Sequence, residues 1–172
     1  MVEFTIVANA GPLIHLARIS KLHLIQVLFK EVYIPEAVKN ETVNKGKAEG
    51  YADALAIEGA MSLGWIKVVK TETSAERLAE EAKIGKGEAE AILLAKQMGT
   101  TKILMDDDRA RRVARSLGLK PHGTIYILKL ALVRKILTKA EYTQVLQKAL
   151  DAGLYLSTEL YLRALKGNEG QD

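Results

Sequence analysis

The chain has 172 residues and no cysteine, so disulfides, thiolate metal sites, iron–sulfur clusters and a cysteine nucleophile are excluded at the outset. Its 48% apolar and 27% charged residues are the balance of an ordinary globular chain, and the length predicts one domain over residues 1–166 with a disordered tail at 167–172. Twenty-five basic against twenty-one acidic residues leave a net charge of +4 and a pI near 9.2, which permits a polyanionic partner without requiring one.

Phe4 to Ala8 is a short β-branched, apolar run that reads as a buried strand. It ends in Asn9-Ala10-Gly11-Pro12, a turn from which a helix is predicted to open at Pro12, carrying Leu13, Leu16 and Ala17 on one face. A second helix is predicted over Lys21–Phe29 and a second strand over Glu31–Ile34. Pro35 closes that strand and suits the first position of a helix holding Val38 and Glu41. The alanine-rich stretch from Lys45 to Leu63 predicts one long helix, and Trp65–Val69 a third strand.

Thr73 and Ser74 are capping candidates for a helix holding Leu78 and Ala82. Gly85-Lys86-Gly87 then breaks the pattern before Glu88, and a periodic helix with Ala91, Ile92, Leu94 and Ala95 inward runs to Gly99. Lys102–Met105 is a fourth strand leading straight into Asp106-Asp107-Asp108. The helix that follows carries Arg109, Arg111, Arg112 and Arg115 and stops at Gly118. A short fifth strand at Leu119–Pro121, a helix opening at Gly123-Thr124, and helices over Lys139–Leu150 and Ser157–Leu165 complete the chain. Strands alternating with helices predict a parallel sheet covered on both faces.

No apolar stretch reaches the roughly 18 residues of a membrane span, so no membrane partner is expected. The opening Met1-Val2-Glu3 has no basic signal-peptide region, which points to a cytoplasmic protein. His15, His23 and His122 lack ligand spacing for zinc, and His15 reads as a satisfied core or boundary residue.

Sites of open parallel sheets form outside the carboxyl ends of the strands. Strand one ends at Asn9 and strand four at Asp106, so adjacent strands would place them face to face. Glu88 opens the helix before strand four and Glu41 lies on the helix after strand two. Four oxygen-bearing side chains are thereby expected in one cleft. Gathered carboxylates repel and raise one another's pKa unless a cation or an arginine compensates. A hard ion such as Mg²⁺ or Mn²⁺ suits oxygen donors with an incomplete protein shell, and it would serve phosphodiester hydrolysis. Each residue also has a structural alternative. Asp108 would cap its helix, Glu88 and Glu90 would favour a helix dipole, Glu41 would be a solvated helix residue, and Asn9 would tie its turn by Asx bonding. The arginines would form a solvated face or hold phosphates.

Taken in order, Ile6-Val7-Ala8-Asn9-Ala10-Gly11-Pro12-Leu13-Ile14, Pro35-Glu36-Ala37-Val38 with Glu41, Gly87-Glu88-Ala89-Glu90-Ala91-Ile92 and Asp106-Asp107-Asp108-Arg109-Ala110-Arg111 resemble the PIN domain, and Gly123-Thr124 and Leu156-Ser157-Thr158-Glu159-Leu160 extend the resemblance nearly to the C-terminus. It is closest to a prokaryotic PIN-like subgroup. The resemblance implies an α/β/α sandwich around a parallel sheet of four to five strands. It also implies Mg²⁺- or Mn²⁺-dependent cleavage of RNA, often by the toxin of a toxin–antitoxin pair. RNA, a small antitoxin protein and a homodimer are the partners it suggests. Asn9 falls where most PIN nucleases have their first aspartate, Glu41 on the second acid, Glu88 on the third and Asp106 on the fourth, with Asp108 competing for that last role. In that reading Glu41, Glu88 and Asp106 hold the metal, Asp107 or Asp108 supports it, Asn9 orients water, and Arg109, Arg111 and Arg112 grip the RNA backbone. Asn9 departs from the pattern, since an amide brings an oxygen without a charge. The alternatives are a catalytically weak module of the same fold that binds nucleic acid or protein and, behind it, a phosphate-ester hydrolase of small substrates.

Overall fold

The computed structural model describes residues 5–166, and the predicted disordered tail lies outside them. Five strands, β1 (Thr5–Ala8), β2 (Glu31–Ile34), β3 (Ile66–Val68), β4 (Lys102–Leu104) and β5 (Lys120–His122), form one all-parallel sheet in the order β3-β2-β1-β4-β5. The chain thus leaves β1 toward β2 and β3, then returns to the opposite side of β1 for β4 and β5. The order reverses between β1 and β4, where loops on opposite sheet faces diverge and leave a crevice at the strand ends.

Alternation along the strands divides the apolar residues between two layers. Ile6, Ala8, Val32, Ile34, Ile66 and Leu104 pack under helices α1 (Ala10–Arg18), α2 (His23–Phe29), α9 (Thr124–Val133) and α10 (Lys139–Asp151), together with α5 (Ala52–Ser62). Val7, Ile103 and Met105 point the other way, against α7 (Lys86–Gln97) and α8 (Asp108–Ser116), with Leu78 of α6 (Glu76–Ala82) at the margin. Both sheet faces are covered, which makes an α/β/α sandwich of the kind the resemblance implies. The last helix, α11 (Thr158–Lys166), is tied down by the buried Tyr142 hydroxyl, which donates to the Ala164 carbonyl at 2.9 Å.

Four expectations change in detail. Helix α1 begins at Ala10, so Pro12 is its third residue. That costs nothing, because the first four N–H groups of a helix have no intrahelical acceptor. The single helix predicted over Lys45–Leu63 is broken at Glu49–Tyr51, where Gly50 adopts φ +77° and the chain folds back. Before that break one continuous helix runs through α3 (Glu36–Lys39), a π-helical turn (Asn40–Lys45) and α4 (Gly46–Ala48). Helix α6 starts at Glu76, with Ser74 Oγ accepting its N–H at 3.4 Å. β5 is shifted by one residue, and Pro121 is tolerated inside it because β5 is an edge strand.

Candidate metal centre

Asn9 stands directly after β1, at the N-cap position of α1. Its backbone N–H donates to the Leu104 carbonyl at 2.8 Å, pinning the end of β1 to β4. The side chain makes no capping bond, so the Asx role is not the one it plays. Asn9 is only 6% exposed, and among the described residues its Oδ1 is the one buried side-chain oxygen or nitrogen without a hydrogen-bond partner. A buried carbonyl oxygen left without a donor costs about 1–3 kcal/mol, which calls for a reason.

The surroundings supply one. Glu41 comes from the π-turn and Gly87 and Glu88 from the start of α7. With Asn9 they border an open cleft of about 470 Å³ that is also lined by Glu36, Asn40, Lys45, Lys86 and Glu90. Gly87 is buried at the middle of this group. A methyl built on its Cα would lie 3.1 Å from Glu41 Oε2 and 3.7 Å from Asn9 Oδ1. The missing side chain leaves a small hollow faced by one carboxylate oxygen and the partnerless amide oxygen. π-Turns recur at functional sites because the extra residue per turn re-aims side chains, and this one carries Glu41 to the hollow.

Glu88 caps the start of α7 as well as lining the cleft, a hydrogen-bonding role beyond the helix-dipole one considered for it. Its Oε2 accepts the Gly85 N–H at 2.8 Å at the start of α7. Partial burial pushes its pKa up, the Gly85 bond opposes this, and the charges of Asp107 and Glu41 raise it further. Glu90 holds two elements together. Its Oε2 accepts the Ala37 N–H at 3.0 Å, and its Oε1 lies 3.9 Å from Lys86 Nζ.

Asp106, expected as the fourth member of the group, is not among the residues that line this cleft. Its carboxylate is held at the end of β4 by three partners. Thr124 donates from its backbone N–H to Oδ1 and from its hydroxyl to Oδ2, each at 2.7 Å, and His15 Nδ1 lies 2.8 Å from Oδ2. Against an ionised carboxylate the imidazole must carry a proton on Nδ1. A Cβ on Gly123 would fall 2.7 Å from Asp106 Oδ1 and 2.8 Å from Arg111 Nη1, so only glycine lets the α9 N-terminus reach the carboxylate. His15 is therefore a satisfied boundary residue, but its partner is an acid from a distant strand. Nothing in the local sequence announces that contact.

The triple aspartate divides its work differently from the expectation. Asp107, not Asp108, is the N-cap of α8, its Oδ1 accepting the Ala110 N–H at 2.8 Å, and Asp108 is the first helical residue. Among the described residues no group of three or more histidines, aspartates and glutamates is close enough to hold an ion by itself. Arg109, Arg111 and Arg112 do not line the cleft. Arg111 is half-buried, its Nη1 3.5 Å from the Met105 carbonyl, and burial with the nearby Arg115 lowers its pKa while Asp106 and Asp108 oppose that. Sequence reasoning missed Lys45, Asn40 and Lys86 as cleft residues. The four-residue step from Glu41 to Lys45 was a visible signal for the first of them.

Among the described residues no helix is long and apolar enough to cross a membrane. A family model described as a PIN domain matches residues 5–169, almost the whole chain. Among curated proteins, none matches the chain significantly.

Proposed function

The chain belongs to the PIN-domain family, a nuclease-type fold whose members generally use divalent metal ions, and from that premise we propose that it is a metal-dependent endoribonuclease acting at the cleft between β1 and α7. The observation that carries the reading is Asn9 Oδ1, buried without a donor beside the hollow over Gly87 and facing Glu41. The donors suit Mg²⁺ or Mn²⁺, which take carboxylate and amide oxygens and complete their shell with water. Asn9 Oδ1, Glu41 and Glu88 would hold the ion, with Asp107 contributing charge nearby. Asp106, Asp107 and Asp108 flank that set at the neighbouring strand end. When bound, the ion would supply Lewis-acid stabilisation of the phosphodiester and a more acidic water.

The protein's own groups do the rest. Burial and the charges of Asp107 and Glu41 push the Glu88 pKa up, so a cation bound among these acids would favour its ionised form. Asp106 acts as a positioning residue, because its bonds to Thr124 and His15 hold α1 and α9 against the end of β4. Arg109 and Arg112, exposed on α8, offer cations to the RNA backbone away from the cleft. The same reading takes RNA as substrate, a small antitoxin protein as partner, homodimer formation and a cytoplasmic setting. Co-purification with the product of an adjacent small gene tests the antitoxin.

The deciding experiment incubates a pool of structured and unstructured RNAs with the protein, with and without Mn²⁺ or Mg²⁺, beside Glu88→Gln. Cleavage that needs the metal and falls in the variant supports the reading. The amide at position 9 favours a second reading, a module that binds RNA without cutting it. Metal-independent RNA binding with no cleavage by wild type or Asn9→Asp would establish that one instead.

A further inference from the structure

Four glutamates line the cleft, and a phosphodiester would bring another negative charge to them. Glu90 is already engaged, with the Ala37 N–H on one oxygen and Lys86 near the other. Glu36, Glu41 and Glu88 remain. A divalent ion offsets two of those three charges, and the residual one would still repel the substrate. Lys45 supplies the missing cation. It lines the same cleft, is exposed, and its ammonium makes neither an ion pair nor a hydrogen bond to any described residue, although glutamates surround the opening.

Its placement is built into the fold. In an α-helix a residue four positions on has rotated about 40° past its predecessor, whereas the wider π-turn brings it back on the other side of alignment. The helix from Glu36 to Ala48 mixes the two kinds of turn, so Ala37, Glu41 and Lys45 all keep to the cleft side. The next residue, Gly46, locks the backbone. A Cβ there would lie 2.8 Å from Ala54 Cβ, so this segment packs on α5 at a distance only glycine permits. A fixed backbone thus presents an unpaired ammonium at the rim of the candidate metal centre. The arginines of α8 do not line that cleft.

We propose that Lys45 is the phosphate-contacting residue of the cleft, its ammonium meeting a non-bridging oxygen of the RNA phosphodiester placed at the ion. The proposal rests on the ribonuclease reading. A lysine suits the role because its compact charge on a flexible stem can follow one oxygen without bidentate geometry. The test measures binding of a single-stranded RNA oligonucleotide in Mn²⁺ at several salt concentrations, with RNA integrity checked on a gel, for wild type, Lys45→Met, Lys45→Arg and Arg112→Gln. Lys45→Met should bind RNA several-fold more weakly, with a salt slope shallower by about 0.7. Lys45→Arg should recover most of the affinity. The Mn²⁺-induced rise in melting temperature should be equal or larger in Lys45→Met, because a cation beside the ion has gone. Equal RNA affinity and slope in wild type and Lys45→Met would overturn the proposal and leave the ribonuclease reading standing. So would a smaller Mn²⁺ shift in Lys45→Met, which would make Lys45 a support for the acids. A wild type that neither binds nor cuts RNA would remove both.

Discussion

Gly87→Ala separates stability from metal binding, because the added methyl has opposite effects on the two. Gly87 is the second residue of α7 and its φ is not in the left-handed region, so alanine is compatible with the backbone. Helix propensity then favours the variant by up to about 1 kcal/mol, less in a first turn than in mid-helix. Against this stands one tight contact, 3.1 Å from the new Cβ to Glu41 Oε2; the contacts to Val38 Cγ2 at 3.5 Å and Asn9 Oδ1 at 3.7 Å are ordinary packing. Glu41 is exposed and its carboxylate swings away at little cost. The metal-free protein should therefore melt at or slightly above the wild-type temperature. The ion loses more, since the methyl fills the hollow between its donors and displaces Glu41. For an ion held with a Kd of about 1 mM, 10 mM Mn²⁺ stabilises the folded state by about 1.4 kcal/mol. In a chain of this size that raises Tm by roughly 3–6 °C. Thermal melts by circular dichroism, titrated with Mn²⁺ and Mg²⁺, should show that rise in wild type and little of it in Gly87→Ala. An equal rise in both proteins would refute the placement of the ion over Gly87. A metal-free variant several degrees less stable than wild type would refute the claim that Glu41 yields freely.

Asn9→Asp puts a carboxylate without a donor beside Glu41, so the metal-free protein should lose about 1–3 kcal/mol in urea titrations while its Mn²⁺ shift exceeds that of wild type. Glu88 has its pKa raised by folding, so the native state holds more protons than the unfolded one through the carboxylate range. Its contribution to stability therefore falls as pH rises through that range, from just below the unfolded value to just above the folded one. Glu88→Gln should remove that part of the pH slope in metal-free unfolding curves while keeping the Gly85 bond; an unchanged slope would show that other acids set it. Gly123→Ala forces a Cβ to within 2.7 Å of Asp106 Oδ1, and a loss of about 1–3 kcal/mol in chemical denaturation is expected. Thr124→Val, which removes one of the bonds to Asp106, should cost about 1–2 kcal/mol and leave the Mn²⁺ shift in place if Asn9, Glu41 and Glu88 hold the ion as proposed, since Asp106 does not line the cleft.

Much of this molecule was readable along the chain because the relevant forces are local. Short apolar runs followed by Asn9 and by Asp106, the glycine stops at Gly99 and Gly118 with their positive φ, and the amphipathic stretches between them point to a parallel sheet of four to five strands, five in the structure, and to the helices that cover both faces. Periodicity alone carries that information, since an apolar residue every second or every third to fourth position has one way to leave water. The candidacy of Asn9, Glu41 and Glu88 followed too, because strand ends and helix starts of a parallel sheet converge. Tertiary structure decided the rest. The chain after Lys45 did not continue as one helix: it turns at Gly50 (φ +77°), and the segment before that turn packs on α5 through the close approach of Gly46 to Ala54, a contact between segments that no local propensity encodes. The π-turn that aims Glu41 and Lys45 at one cleft arises within a helix whose sequence reads equally well as α. Asp106 was expected to be a metal ligand from its place at a strand end, and the bonds its oxygens accept from Thr124 and His15, residues 18 and 91 positions away, were not legible there. Hydrogen-bond satisfaction is a property of the assembled neighbourhood. Only there does one oxygen, Asn9 Oδ1, remain without a hydrogen-bond donor.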